Sequence, residues 1–436
     1  MKVVLAGFNT DRQFSSGTPE TISAAYARIS RDPRPVWDLR EEAARETANA
    51  RKSNTRIVFG FGHSSVAEHA VFNLDIGGIS RFAAEALQSF RLASFMEKSQ
   101  RYIRMDGDWI EPEGLPDGVR GVFGATCREL FGLYGEILEM LETAGIPASS
   151  AREDARYVLP LATACQMGMT ANARELEHMM RRLRAWPVPE LAALAGAISD
   201  AVEPAAPSLF RHTAPVEMDS FAAHSALSPR RVPGRTVSMI GGDGDDAVGI
   251  RLLAERDGLA HGRARSAWRA MEGPERELLF EDFRDRLGVH DALPRLWEMA
   301  RFTFELSVSS TAFAQLKRHR MATISASAPY PGSGVVVPPS FSGTQAGRLL
   351  SRGRAASERL AASLPVPLRP YALLNAHRRA VIVSMNAREL VHFSRLREDD
   401  HAQWDIRETA GRMLGLARRR APLTLSMSGG KSAFGN

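Results

Sequence analysis

Asn172-Ala173-Arg174-Glu175-Leu176-Glu177-His178 and Asn386-Ala387-Arg388-Glu389-Leu390-Val391-His392 are the same seven residues with one difference. Recurrence of so specific a phrase in one 436-residue chain points to an internal duplication. A second marker precedes each phrase in the same order. The run Ile79 to Ser94 aligns without a gap on Val308 to Thr323 when Arg91 is set against Arg320. Arg91 stands 81 residues before Asn172 and Arg320 stands 66 before Asn386, so the second copy is shorter in its middle. The starts agree too, because Lys2 to Gly7 and Thr236 to Gly241 are both strand-like runs into a glycine.

Between the copies, Pro204 to Arg235 carries Pro204, Pro207, Pro215, Pro229 and Pro233, a composition that suits a linker or crossover strap. The expected division is a first repeat over 1–215, a linker over 216–235 and a second repeat over 236–436. Within a copy, Phe82, Ala86 and Phe90 have helical spacing, as do Leu176, Met179, Met180 and Leu183. Strands are predicted at Val3–Ala6, Val71–Ile76, Phe302–Val308 and Val335–Val337. The predicted class is α+β.

Composition narrows the function. A hydrophobic content of 44% is enough for one large core or two ordinary ones, and 24% charged residues is a globular level. No apolar run approaches the roughly 18 to 20 residues that span a bilayer. Two cysteines, Cys127 and Cys165, make neither a disulfide framework nor a metal cluster, which fits the cytoplasm. The net charge of +6 comes mainly from arginine and suits phosphorylated small molecules. With no lysine-rich arm and no run of five like charges, nucleic-acid binding is not expected.

The densest chemistry is Arg318-His319-Arg320, preceded by Gln315: donors gathered where a phosphate or flavin ring could dock, or else a solvated helix end. In the first copy, Glu97, Ser99 and Arg101 share one side if their segment is extended. Arg101 could then grip a phosphate, with Ser99 as a neutral donor. If the segment is helical instead, Glu97 and Arg101 form an ordinary pair four residues apart. His63 and His69 lack a third ligand at metal spacing, so no metal is expected. Gly241 to Asp246 is glycine-rich without a dinucleotide fingerprint and reads as a turn.

Arg318-His319-Arg320 in the second copy and Ser99-Gln100-Arg101-Tyr102 in the first each resemble part of the signature of the flavin-dependent thymidylate synthases, an Arg-His-Arg followed by a Ser and then Ser-x-Arg-Tyr. Gly62-His63-Ser64-Ser65-Val66-Ala67-Glu68-His69 resembles that family's Gly-His-x-Ser/Thr-x-x-Glu-His element. The stretch from Asn386 through Arg397 and on to Arg407 resembles its C-terminal motif. The resemblance implies reductive methylation of dUMP at C5, with FAD as cofactor and NADPH and methylenetetrahydrofolate as co-substrates. It also implies a homodimer that imitates the family's four-subunit body.

Carried over by position, the signature divides. Ser99, Arg101 and Arg156, with Glu97 beside them, match the nucleotide-holding residues in the first copy. The second has Ala328, Tyr330 and Pro370 at the places of Ser99, Arg101 and Arg156. Gln315 and Arg397 match further substrate residues in the second copy, and Ser99 and Arg397 match catalytic ones. Arg318, His319, Arg320, Asn386, Arg388 and His392, together with His69, match flavin-binding positions. The first copy offers Ala86, Ser89, Phe90 and Leu183 where the second has Gln315, Arg318, His319 and Arg397. Complementary losses imply one site that draws on both copies. Asn172, Arg174 and His178 either bind flavin or cap and brace a helix. Another flavin-dependent C5-modifying enzyme and a non-catalytic flavin- or nucleotide-binding homologue remain open readings.

Overall fold

The computed structural model describes residues 1–14, 17–230, 234, 237–288 and 291–434. It forms two compact units, Met1–Leu227 with Ala355–Leu373 and Ser228–Arg354 with Leu374–Asn436.

The first unit holds strands β1 (Lys2–Phe8), β2 (Val71–Ser80), β3 (Ala93–Glu97) and β4 (Ala164–Asn172), in the order β1-β2-β4-β3. The second holds β5 (Val237–Gly242), β6 (Arg301–Ser309), β7 (Thr323–Ala326) and β8 (Arg378–Asn386), in the order β5-β6-β8-β7. Every pairing in both sheets is antiparallel. One order realised twice bears out the duplicated α+β plan.

Alternation puts one face of each sheet into a core. Phe72, Leu74 and Ile76 of β2 lie buried, as do Met167, Met169 and Ala171 of β4. Phe302, Phe304, Leu306 and Val308 repeat this on β6, and Val381, Val383 and Met385 on β8. Burying each large apolar side chain contributes roughly 1.5 to 3 kcal/mol. The two starts that resemble each other in sequence share an irregularity: register shifts between Leu5 and Gly7 in β1 and between Met239 and Gly241 in β5. Strand β2 has 10 residues to the 9 of β6. The extra residue is absorbed by a shift between Gly77 and Ile79, where Gly78 sits at φ +67°.

The strand-to-helix joints are also duplicated. Ser80 caps the helix Arg81–Leu87 by accepting from the Ala83 N–H at 2.9 Å, and Ser309 caps Ser310–Leu316 through the Ala312 N–H at 2.9 Å. Both cap serines donate to a buried acid on a following helix. Ser80 reaches Glu190 of Pro189–Val202 at 2.6 Å, and Ser309 reaches Asp405 of Trp404–Arg420 at 2.5 Å. Glu190 also accepts from the Tyr371 hydroxyl at 2.5 Å.

Several expectations change. Val335 forms an isolated bridge with His377 and no strand follows it. The first helix ends at Leu87, so Phe90 lies beyond it. The glycine-rich Gly241–Asp246 splits, with β5 running to Gly242 and a helix beginning at Asp246. Within the expected 216–235 linker, Glu217–Leu227 is helical and belongs to the first unit. Its buried Asp219 lies 2.9 Å from Arg181 Nε, which ties the segment to the Ala173–Arg184 helix. Arg231–Pro233, Arg235 and Thr236 lie outside the described residues.

Candidate functional site

In the second unit the Arg-His-Arg triplet occupies the turn between the Ser310–Leu316 helix and β7. His319 N–H donates to Leu316 C=O at 3.1 Å and Ala322 N–H to His319 C=O at 3.0 Å, closing successive tight turns. The backbone therefore sends His319 inward, where it is 4% exposed, and leaves Arg318 and Arg320 exposed on either side.

Buried His319 is a hub. Its Nδ1 lies 3.1 Å from Glu389 Oε1, and its Nε2 accepts from Arg397 Nε at 3.1 Å. Arg397 also reaches Gln315 C=O at 3.4 Å, and Gln315 Nε2 donates to Gln403 at 3.4 Å. The Phe393 ring stands edge-on to the imidazole at 4.8 Å, with His392, itself exposed, at 5.9 Å. Burial holds His319 below the ordinary imidazole value. Glu389 opposes that shift, while the Arg397 charge adds to it. Burial also pulls the Arg397 guanidinium down to about 10, helped by Arg318.

Helix Ala387–Arg397 supplies Glu389, His392 and Arg397. Asn386 is its N-cap, accepting from the Glu389 N–H at 2.8 Å, as Asn172 does from the Glu175 N–H at 2.9 Å. Arg388 is held by Leu293 C=O at 2.6 Å and by Glu298 at 3.1 Å. The repeated phrase thus begins with a helix cap, and its arginine braces a neighbouring segment. In the first copy Arg174 pairs with Glu68 and His178 is partly exposed.

In the first unit the segment after β3 does not stay extended. The Ser99 hydroxyl accepts from the Arg101 N–H at 3.1 Å and the Ser99 C=O from the Ile103 N–H at 3.1 Å, so the chain turns and the expected alternation ends at Glu97. Glu97 is held by Arg81 and accepts from Gln88 Nε2 at 2.9 Å, with Cys165 Sγ at 3.2 Å. Arg101 pairs with Glu153, whose backbone C=O accepts from Arg156 Nε at 3.2 Å. Arg152 Nε reaches Arg101 C=O at 3.4 Å. Arg101 thus meets the buried Glu153 carboxylate, while Arg156 and Arg152 hold backbone carbonyls of the same cluster, and this concentration of guanidiniums suits an anion. Burial lowers Arg156, and the neighbouring Arg101 charge works the same way.

Arg152, Glu153 and Glu389 were not singled out in the sequence, although Arg152 and Arg156 share a helical face four residues apart. His69 ends the turn Ser64–His69, exposed, with its ring 4.9 Å from Tyr26. His63 is also exposed. Among the described residues no group of His, Cys, Asp and Glu could hold a metal ion, and no helix is long and apolar enough to cross a membrane. Both cysteines are buried, and burial pushes the Cys127 thiol up to about 12.

A family model described as thymidylate synthase complementing protein matches residues 14–208 and 263–423. A flavin-dependent thymidylate synthase of Geobacter sulfurreducens is 34% identical over 208 residues, covering 45% of this chain and 83% of that protein. The UPF0159 protein of Thermoplasma acidophilum is 24% identical over 478 aligned positions, covering 90% of this chain and 91% of its own. Among solved structures, thymidylate synthase X of Helicobacter pylori with FAD and dUMP is 21% identical, covering 49% of this chain and 99% of that one, at a TM-score of 0.38.

Proposed function

The chain belongs to the family of thymidylate synthase complementing proteins, the flavin-dependent thymidylate synthases, as a tandem-repeat member, and on that premise we propose that it methylates dUMP reductively at C5. FAD is the cofactor in this reading, with NADPH and methylenetetrahydrofolate as co-substrates, and the working form is a cytoplasmic homodimer. Sequence residues 1–215 and 236–436 are the two duplicated copies, joined through 216–235.

The observation that carries the proposal is the division of cationic residues. Arg101 and Arg156 both contact Glu153 in the first unit, with Arg152 on the Arg101 carbonyl, while Arg318, Arg320 and the His319–Arg397 hub lie in the second. In the proposed roles, Arg101 and Arg156 hold the nucleotide phosphate, Ser99 sets its register, and Glu97 and Gln315 line the substrate. Arg397 orients the pyrimidine. The donor chemistry of the Arg318–Arg320 turn fits FAD, because two exposed guanidiniums and the exposed His392 suit a pyrophosphate. His69 is a further flavin contact in this reading. Asn386 and Arg388 act one step back, since one caps the helix and the other braces it. Bound FAD would supply hydride, and the protein would supply position and charge.

Purified protein should be yellow, and dUMP should perturb its flavin spectrum. A colourless protein with no affinity for added FAD overturns the proposal. Binding of FAD without any response to dUMP would leave a flavoprotein of another substrate class.

A further inference from the structure

We propose that Glu389 is a positioning residue for Arg397, acting through His319. This rests on the reading that Arg397 meets the pyrimidine. A guanidinium only donates, so His319 Nε2, 3.1 Å from Arg397 Nε, must be the acceptor. A neutral imidazole then carries its single proton on Nδ1, and the atom facing Nδ1 at 3.1 Å is Glu389 Oε1. The carboxylate therefore selects the tautomer, and the tautomer holds the arginine by its Nε. Glu389 is itself fixed, because its N–H is tied to the Asn386 cap at 2.8 Å and it sits in the first helical turn, where negative charge is favoured.

The first repeat is an internal control. There Phe90 replaces His319 and Leu183 replaces Arg397, both buried, while Glu175 remains in the place of Glu389. With Phe90 in the place of His319, Glu175 accepts from the Leu92 N–H at 3.2 Å and lies 3.6 Å from Nδ1 of His178 on its own helix. Histidine and arginine have been exchanged together for two apolar groups that pack in the same scaffold. That joint exchange is expected if the imidazole is there to hold the guanidinium. The groups that face His319 are Glu389, Arg397, His392 and Phe393, drawn from one helix, so the device is local to that helix and the turn.

The test uses the full chain with ¹⁵N-labelled histidine, dUMP titration and measured FAD content. Glu389→Gln keeps an acceptor and should retain the Nδ1–H tautomer and near-normal dUMP affinity. Glu389→Leu removes it: the ¹⁵N shifts should move toward the other tautomer and dUMP affinity should fall about tenfold, with FAD content unchanged. The double change His319→Phe with Arg397→Leu copies the first repeat, so it should fold and yet lose dUMP binding. Unchanged tautomer and dUMP affinity in folded Glu389→Leu overturn the proposal. If Arg397→Ala leaves dUMP affinity intact, the role given to Arg397 fails instead, while the ¹⁵N readout still tests the hold of Glu389 on His319.

Discussion

His319 works as an acceptor only while neutral, and its environment keeps it so: burial disfavours the imidazolium by more than Glu389 relieves, and the Arg397 charge adds to the burial effect. The sign follows from linkage. The folded-state value lies below the ordinary 6.5, so between the two the unfolded chain binds more protons. The neutral-His319 contribution to stability is therefore complete above about pH 6.5 and is lost as pH falls through the folded value. Melting temperature should fall across that window in the wild type and fall less in His319→Phe with Arg397→Leu, as a thermal scan at several pH values will report. Equal slopes would mean that other groups dominate. At this scale the sequence named His319 and Arg397 but not their tie to Glu389, because contact between residues 70 and 78 positions apart has no local signature. Ser99 misled for a different reason. Its hydroxyl captures a backbone N–H two residues on, so a local turn wins over the extended conformation that alternation suggested.

Among elements, the recurring unit is a strand that ends in a capping serine, a short helix, and an acid from a later helix locked onto that serine. Ser309 does two jobs, accepting from the Ala312 N–H and donating to Asp405, which is 0% exposed. Ser309→Ala removes both contacts and should destabilise the fold by about 2 to 3 kcal/mol, the scale for a buried hydrogen bond to a charged group plus a cap. The chemical-denaturation midpoint measures this, and a shift under about 0.5 kcal/mol would refute the anchoring role. The strands themselves were legible, since β2 and β6 write their buried faces in alternating apolar residues. The Asn-x-x-Glu opening of each repeated phrase also reads as a helix start once it is taken as a cap. Val335–Val337 was not legible in the same way. Three β-branched residues promise a strand, but strand formation needs a paired edge that continues, and here pairing stops at the Val335–His377 bridge and the Val336 N–H to Ala376 C=O bond of 2.9 Å.

For the whole molecule, duplication was written in the markers, and the two sheets confirm it with one strand order used twice. The compact units were not written there: residues 355–373 of the second copy group with the first unit, and no composition change marks that point. A chain carrying two copies needs half as many chains to make a four-copy body, so light scattering should give about twice 47.8 kDa. A monomer with full FAD and dUMP affinity would oppose that. Division of labour between the copies gives the stronger test. Independent decay of two redundant repeats would have eroded both residue sets in both copies, yet Arg101 and Arg156 survive where Arg397 has become Leu183, and Arg318 survives where Arg156 has become Pro370. If each copy keeps only what the other lacks, Arg101→Ala and Arg156→Ala should each weaken dUMP binding roughly ten- to a hundredfold with FAD content nearly unchanged. Arg318→Ala should lower FAD content, whereas Arg91→Ala, at the position matching Arg320 in the copy that lacks the flavin set, should leave it near normal. Calorimetric titration with dUMP and the flavin absorbance of the purified variants separate the two effects. Equal flavin loss in Arg91→Ala and Arg318→Ala, or undiminished dUMP affinity in both Arg101→Ala and Arg156→Ala, would show that the copies do not share the work in this way.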